Sequence, residues 1–227
     1  MTTIFPSNAM RCLYWVRSRT VKYNVPVSDL LPLFPLELVL FPGAPLPLHI
    51  FEPRYREMIG ECMESHEPFG VLRVKDNAIA EVGCTAEIVE VVKRYDDGRL
   101  DILTSGQRVF EIARLDEERS FLRGEVLYLP DEPPEGTREQ RRRALELHRE
   151  LLKLAKEQPE LPPEDDPQLT YHLAAMVPLD LDFKQALLGM RSEAARLKHF
   201  LEYYEAVLPR LERVVKAQRK AGGNGHV

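Results

Sequence analysis

The sequence predicts an α+β protein in two parts. A strand-rich first part closes as a small barrel or sandwich, and a helical second part contains one long helix. Three observations carry this reading. Between residues 69 and 129, short runs rich in β-branched residues recur with a turn signal about every 8–12 positions. Beyond Thr137 the apolar residues change to the 3–4 spacing of amphipathic helices. Between these regimes, and again before Gln168, prolines cluster in acidic surroundings (DEPPEG and EQPELPPEDDP), the composition of linkers and exposed loops. The expected layout is a basic, disordered tail at 1–28, the barrel at 29–130, helices at 131–218 and a disordered tail at 219–227.

The elements follow in order. Leu31 to Ile50 alternates short apolar groups with prolines, which disfavours a central strand and suits extended edge segments. Pro53 sits where a first helical position tolerates proline. Tyr55, Met58, Ile59, Cys62 and Met63 then form one helical stripe. Strands are expected at Phe69–Val74, Thr85–Tyr95, Arg99–Thr104, Arg108–Leu115 and Phe121–Leu129. Asp97-Gly98 supplies a hairpin turn and Gly106 a separator. Thr137 and Gln140 fit a capping box, ahead of a helix whose face carries Ala144, His148, Leu151 and Ala155. Gln168 to Met176 forms a short helix stopped by Val177-Pro178, and Phe183 to Leu188 begins another. The longest helix runs from Ser192 to Lys216, with Pro209 expected to kink or break it.

Composition excludes several classes. The 44% hydrophobic and 30% charged content is that of a soluble folded chain, and no apolar run is long enough for a membrane span or a signal-peptide core. The three cysteines form no CxxC pair, so the chain reads as cytoplasmic with reduced thiols. The net charge is −5, yet residues 1–27 hold Arg11, Arg17, Arg19 and Lys22 and no acid, leaving −9 on the rest. Such a body has no general attraction for phosphate backbones, which demotes nucleic acid as a partner. No GxxxxGK[ST] loop is present to cradle a nucleotide phosphate.

The segment Leu31 to Tyr55, LPLFPLELVLFPGAPLPLHIFEPRY, resembles the opening of the Lon N-terminal domain, also called the Lon substrate-binding domain. The resemblance continues through Phe69-Gly70-Val71, Gly83 to Ile88 and Gly106 to Ile112. It resumes at Leu169 to Ala174, Val177-Pro178-Leu179 and Lys184 to Leu188. It implies a PUA-like β pseudo-barrel followed by a C-terminal helical bundle. In Lon proteases this region precedes an ATPase and a Ser-Lys protease and engages substrates. The present sequence resembles the stand-alone kind, without those modules. The resemblance therefore implies a non-catalytic module that binds unfolded polypeptide or a partner protein, with a possible protease-associated role and no cofactor.

The residues themselves leave two readings open at most positions. Phe34, Leu36, Val39, Leu46, Leu48, Ile50 and Phe51 read as barrel core. Gly43 and Gly106 suit special backbone angles or close approaches. The candidate groove comprises Phe41, Pro42, Phe51, Glu52, Arg54 and Tyr55, where motif residues concentrate. Arg54, beside Glu52 and Tyr55, is either an ion-paired structural arginine or the rim of that groove. Peptide strand addition at an exposed barrel edge would supply the contact. Cys62 and His66 have a zinc-ligand spacing, but two ligands make no site and Cys62 lies on the apolar stripe. His148 and His172 read as packing residues. The REQRRR run (138–143) reads as a solvated helix face, or as a phosphate patch in an RNA-binding alternative that uses Arg141 to Arg143. A small-molecule enzyme in the barrel cleft is the other alternative, and no tight constellation of titratable residues supports it. Oligomeric state is not legible.

Overall fold

The structure, a computed structural model, describes residues 30–223. The chain divides between Leu129 and Pro130 into two compact units. The expected tail at 1–28 and residues 224–227 lie outside the described residues.

The first unit contains β1 (Leu31–Leu36), β2 (Pro45–Ile50), α1 (Pro53–Ser65), β3 (Phe69–Lys75), β4 (Ala78–Ile79), β5 (Val82–Arg94), β6 (Leu100–Asp116) and β7 (Arg123–Tyr128). Strands pair in the order β1-β7-β6-β5-β3, and β3 pairs back onto β1 in parallel, so five strands close the expected pseudo-barrel. β2 pairs with the first half of β6, and β4 with the end of β3. Leu31, Leu33, Leu72 and Phe110 form a core cluster. Phe34 is also buried, its ring centroid 4.1 Å from that of Tyr55 on α1.

Two strands depart from expectation for physical reasons. β1 has prolines at 32 and 35, yet it lies between β7 and β3 and is not an edge. The Leu33 N–H donates to the Leu122 carbonyl at 2.8 Å. Amide positions 31, 33 and 35 therefore face β7, and 32, 34 and 36 face β3. Pairing with β7 ends at Pro32 and pairing with β3 starts at Leu33, so neither missing donor falls inside a ladder. β6 is one continuous strand, where Gly106 was expected to separate two. At Gly106 the Phe41–Ala44 turn crosses the strand: the Gly43 N–H donates to the Gly106 carbonyl (2.8 Å) and the Gly106 N–H to the Ala44 carbonyl (2.9 Å). A Cβ on Gly106 would lie 2.1 Å from the Phe41 carbonyl oxygen. The glycine thus marks a close approach, and Gly43, at φ 74°, makes the turn.

The second unit contains α2 (Arg138–Ala155), α3 (Leu169–Ala175), α4 (Leu181–Gly189) and α5 (Glu193–Gly223). The capping box forms as expected: the Gln140 N–H donates to Thr137 Oγ1 (3.2 Å) and the Thr137 N–H to Gln140 Oε1 (2.9 Å). α4 starts earlier than expected because the Asp180 side chain caps it, accepting from the Phe183 N–H at 3.0 Å. α5 runs through Pro209 unbroken. Pro209 and Glu205 are exposed, so water can satisfy the Glu205 carbonyl that lost its amide donor.

At the centre of this unit lies Arg196, fully buried. Its guanidinium donates to Asp131 (2.8 and 2.5 Å), Glu193 (2.8 Å), Tyr171 Oη (3.1 Å) and the Met190 carbonyl (3.0 Å). Glu193, also buried, accepts in turn from the Thr170 N–H (2.9 Å) and hydroxyl (2.7 Å). A buried ion pair persists when further hydrogen bonds hold its members, and here Thr170 adds two to Glu193 while Tyr171 and Met190 add two to Arg196. Beside it, His148 on α2 stacks with Phe200 and Tyr204 of α5. His148 Nδ1 lies 2.9 Å from Tyr204 Oη, while Nε2 is buried without a partner.

Candidate functional site

Each strand carries side chains on alternate faces. In β6, Leu100, Ile102 and Thr104 are buried, which turns Asp101, Leu103 and Ser105 to the other face. The register opposes His49 of β2 and Lys93 of β5 to Asp101, so these three share the outer face of a β2–β6–β5 arm. His49 Nδ1 donates to Asp101 Oδ1 at 2.5 Å, and the Tyr95 hydroxyl donates to Asp101 Oδ2 at 2.8 Å. The hydrogen bonds from His49 and then Tyr95 hold the Asp101 carboxyl below the usual carboxylate range. The Phe51 ring stacks on His49 at 5.9 Å, and Tyr95 meets His49 edge-on at 5.8 Å. Lys93 and Arg99 each lie over the Tyr95 ring, at 4.4 and 4.9 Å. The result is an exposed patch of three rings oriented by one carboxylate and bordered by two cations. Aromatic groups of this kind dominate protein contact energies.

Of the six residues anticipated as a groove, three are buried and three are accessible. Phe41 is 1% exposed and Pro42 is buried, because their turn crosses Gly106 and covers the barrel. Tyr55 is likewise buried, packed against Phe34, and burial raises its phenol pKa. Phe51, Glu52 and Arg54 remain accessible. Phe51 is 42% exposed, which corrects its placement in the core: Ile50 takes the inward position instead, and Phe51 joins the outer patch. Leu36, Val39, Leu46 and Leu48 are half-buried. Arg54 donates to Glu52 at 2.9 Å and sits 4.5 Å over the Tyr55 ring, which is the ion-paired arrangement. His49, Tyr95 and Asp101 were not anticipated as site residues. The period-2 alternation of β2, which faces His49 away from Ile50, is the signal that marks the first of them.

Strand addition meets an obstacle at both borders of the arm. On β2, Pro45 and Pro47 cannot donate, so Leu46, Leu48 and Ile50 carry the ladder to β6 and the outward edge lacks donors at both prolines. On β5, the half beyond Glu87 pairs only with β6 among the described residues. Its register shifts around Val89 and Val92, the two inserted residues, each 61% exposed. Bulges of this sort break the regular spacing an added strand needs.

The remaining candidates resolve locally. Burial pushes the Cys62 thiol up to about 11 and the Cys84 thiol up to about 12, which keeps both protonated and unreactive at neutral pH. Among the described residues no group of three His, Cys, Asp or Glu side chains could hold a metal ion. Nor is any described helix long and apolar enough to cross a membrane. In the REQRRR run, Arg141 is not on a solvated face. It is 7% exposed and donates to the carbonyls of Asp166 (2.5 Å) and Glu135 (2.7 Å). His172 is held by Asp166, with Nδ1 2.5 Å from Oδ2.

A five-stranded pseudo-barrel closed by a parallel β1–β3 contact, followed by a helical unit, defines the architectural class of the chain. Residues 30–205 match the family model of the ATP-dependent protease La (LON) substrate-binding domain, and the chain belongs to that family. It is 26% identical over 209 residues to the Lon protease of Flavobacterium johnsoniae, covering 83% of this chain and 25% of that protein. Against the Lon protease of Escherichia coli K12 the identity is 26% over 203 residues, 80% of this chain and 25% of that protein. The chain thus spans about a quarter of the length of these relatives. A solved Lon N-terminal domain protein from Xanthomonas campestris superposes with a TM-score of 0.62 at 29% identity, covering 78% of this chain and 99% of that one. The N-terminal domain of a Mycobacterium avium complex Lon protease shares the fold, with a TM-score of 0.59 at 16% identity over 78% of this chain and 98% of that one.

Proposed function

We propose that this chain is a non-catalytic, cytoplasmic polypeptide-recognition module that uses no cofactor and captures unfolded segments. The match to a substrate-binding domain over residues 30–205 carries this reading. The outer face of the β2–β6–β5 arm is the contact surface that fits it. Phe51 and His49 offer ring surface, Lys93 and Arg99 cover Tyr95, and the Asp101 carboxylate preorganises His49 and Tyr95 before a ligand arrives. Because both arm borders are interrupted, side chains and not backbone ladders make the contact. The RNA-binding reading finds less support, since Arg141 spends its donors on the protein's own carbonyls.

The test is fluorescence anisotropy of a labelled polypeptide kept unfolded by reduction and carboxymethylation, titrated with the protein in the absence of nucleotide. Saturable binding is expected, weakened about tenfold by Phe51→Ala together with His49→Ala. Unchanged affinity in that variant would remove this face from consideration. No binding by the unaltered protein would remove the polypeptide reading altogether.

A further inference from the structure

Along α2 of the helical unit, Arg138, Arg142, Arg149 and Lys153 fall in two i,i+4 pairs. The pairs repeat after about three turns, roughly 16 Å, and lie on nearly the same helix face. The first pair already holds a carboxylate. Glu164, from the strap that follows α2, accepts from Arg138 Nε at 2.7 Å and lies 3.7 Å from Arg142 Nε. Arg149 and Lys153 are both exposed, and neither has an ion-pair partner among the described residues. They line a groove of about 570 Å³ between α2 and the strap, where Leu161, Pro159 and Pro162 supply accessible apolar surface over the buried Leu145 and Leu152.

We propose that this groove is a second docking site, for an acidic peptide segment that sets a carboxylate between Arg149 and Lys153 and an apolar side chain against Leu161 and the prolines of the strap. Glu164 is the internal precedent: the chain's own carboxylate docks on the preceding pair of the same stripe in the manner the second pair leaves available. Two features favour a peptide over RNA. The groove contains apolar surface that a phosphate backbone cannot use, and Glu157 and Glu164 line it, repelling a polyanion more than a peptide with one or two carboxylates. The site is separate from the aromatic arm and does not depend on the function proposed for it.

The probe is a rhodamine-labelled, C-terminally amidated Gln-Leu-Asp-Leu-Glu peptide, titrated with the full chain at low and at high salt. Saturable binding that weakens as salt rises is expected. Arg149→Glu with Lys153→Glu should weaken it about tenfold or more, and the neutral pair Arg149→Gln with Lys153→Gln by a smaller factor. Lys75→Glu with Lys198→Glu, which changes the net charge equally, should leave affinity within about twofold. Helical circular dichroism establishes that each variant is folded. Absence of binding by the unaltered protein, equal losses in the Lys75/Lys198 control, or tighter binding of a short RNA oligonucleotide at the same salt would each overturn the proposal.

Discussion

Lowering the pH should destabilise the helical unit through one residue, His148. Its side chain is fully buried between α2 and α5, and burial pushes the imidazole from 6.5 down to about 4. Among the described residues its polar contact is to Tyr204 Oη, and Nε2 has no partner there to stabilise a second proton. The unfolded chain therefore takes up the proton first as pH falls. The contribution of neutral His148 is complete above about pH 6.5, declines from there to about pH 4, and is exhausted below. The shift corresponds to about 3 kcal/mol in total, of which about 2 kcal/mol is lost by pH 5. Urea unfolding followed by far-ultraviolet circular dichroism reads the helical unit, and His148→Phe removes the titrating group while keeping a ring between Phe200 and Tyr204. The gap between the two proteins should shift by about 2 kcal/mol in favour of the variant between pH 7.5 and pH 5. A gap that stays constant over that range would refute the reasoning, because carboxylate titrations common to both proteins cancel in the difference.

Other substitutions probe the packing. Gly106→Ala places a Cβ against the Phe41 carbonyl, so it should destabilise the barrel by about 1–3 kcal/mol or more, read as a lowered thermal midpoint. Arg196→Met strands the buried Glu193 carboxylate and should cost about 3–5 kcal/mol in urea unfolding, and adding Glu193→Leu should recover part of that loss. Arg119→Ala removes exposed contacts to Glu57 and Glu61 on α1, and the urea midpoint in the same assay should stay nearly unchanged because solvent screens them.

Much of the architecture is readable from local chemistry. The Pro53 start of α1, its Tyr55-Met58-Ile59-Cys62 stripe and the Thr137–Gln140 box each depend on neighbours within a few positions, and all three appear in the structure. What sequence reading misplaces depends on distant partners. Gly106 reads as a separator until Phe41 is known to cross it, and the prolines of β1 read as edge markers until each missing donor is known to point away from the ladder its residue joins. The site shows the same division. Phe51, Glu52 and Arg54 stand together in sequence and remain accessible. The partners that organise Phe51, namely His49, Tyr95 and Asp101, are joined by strand register, which composition and spacing do not encode. Arg196 escapes notice for a related reason: its acids, Asp131 and Glu193, come from two separate segments, and only one is a helical neighbour.

If the β2–β6–β5 arm captures unfolded chains as proposed, its interrupted borders have a consequence for what happens next. Unfolded chains concentrated on a surface next to a regular strand edge would be templated into further sheet, and the capturing protein would seed the aggregates of its own clients. Prolines on one border and two inserted valines on the other give those chains rings to adhere to and no ladder to extend. A held segment can then leave as it arrived, without hydrogen-bonded order imposed on it.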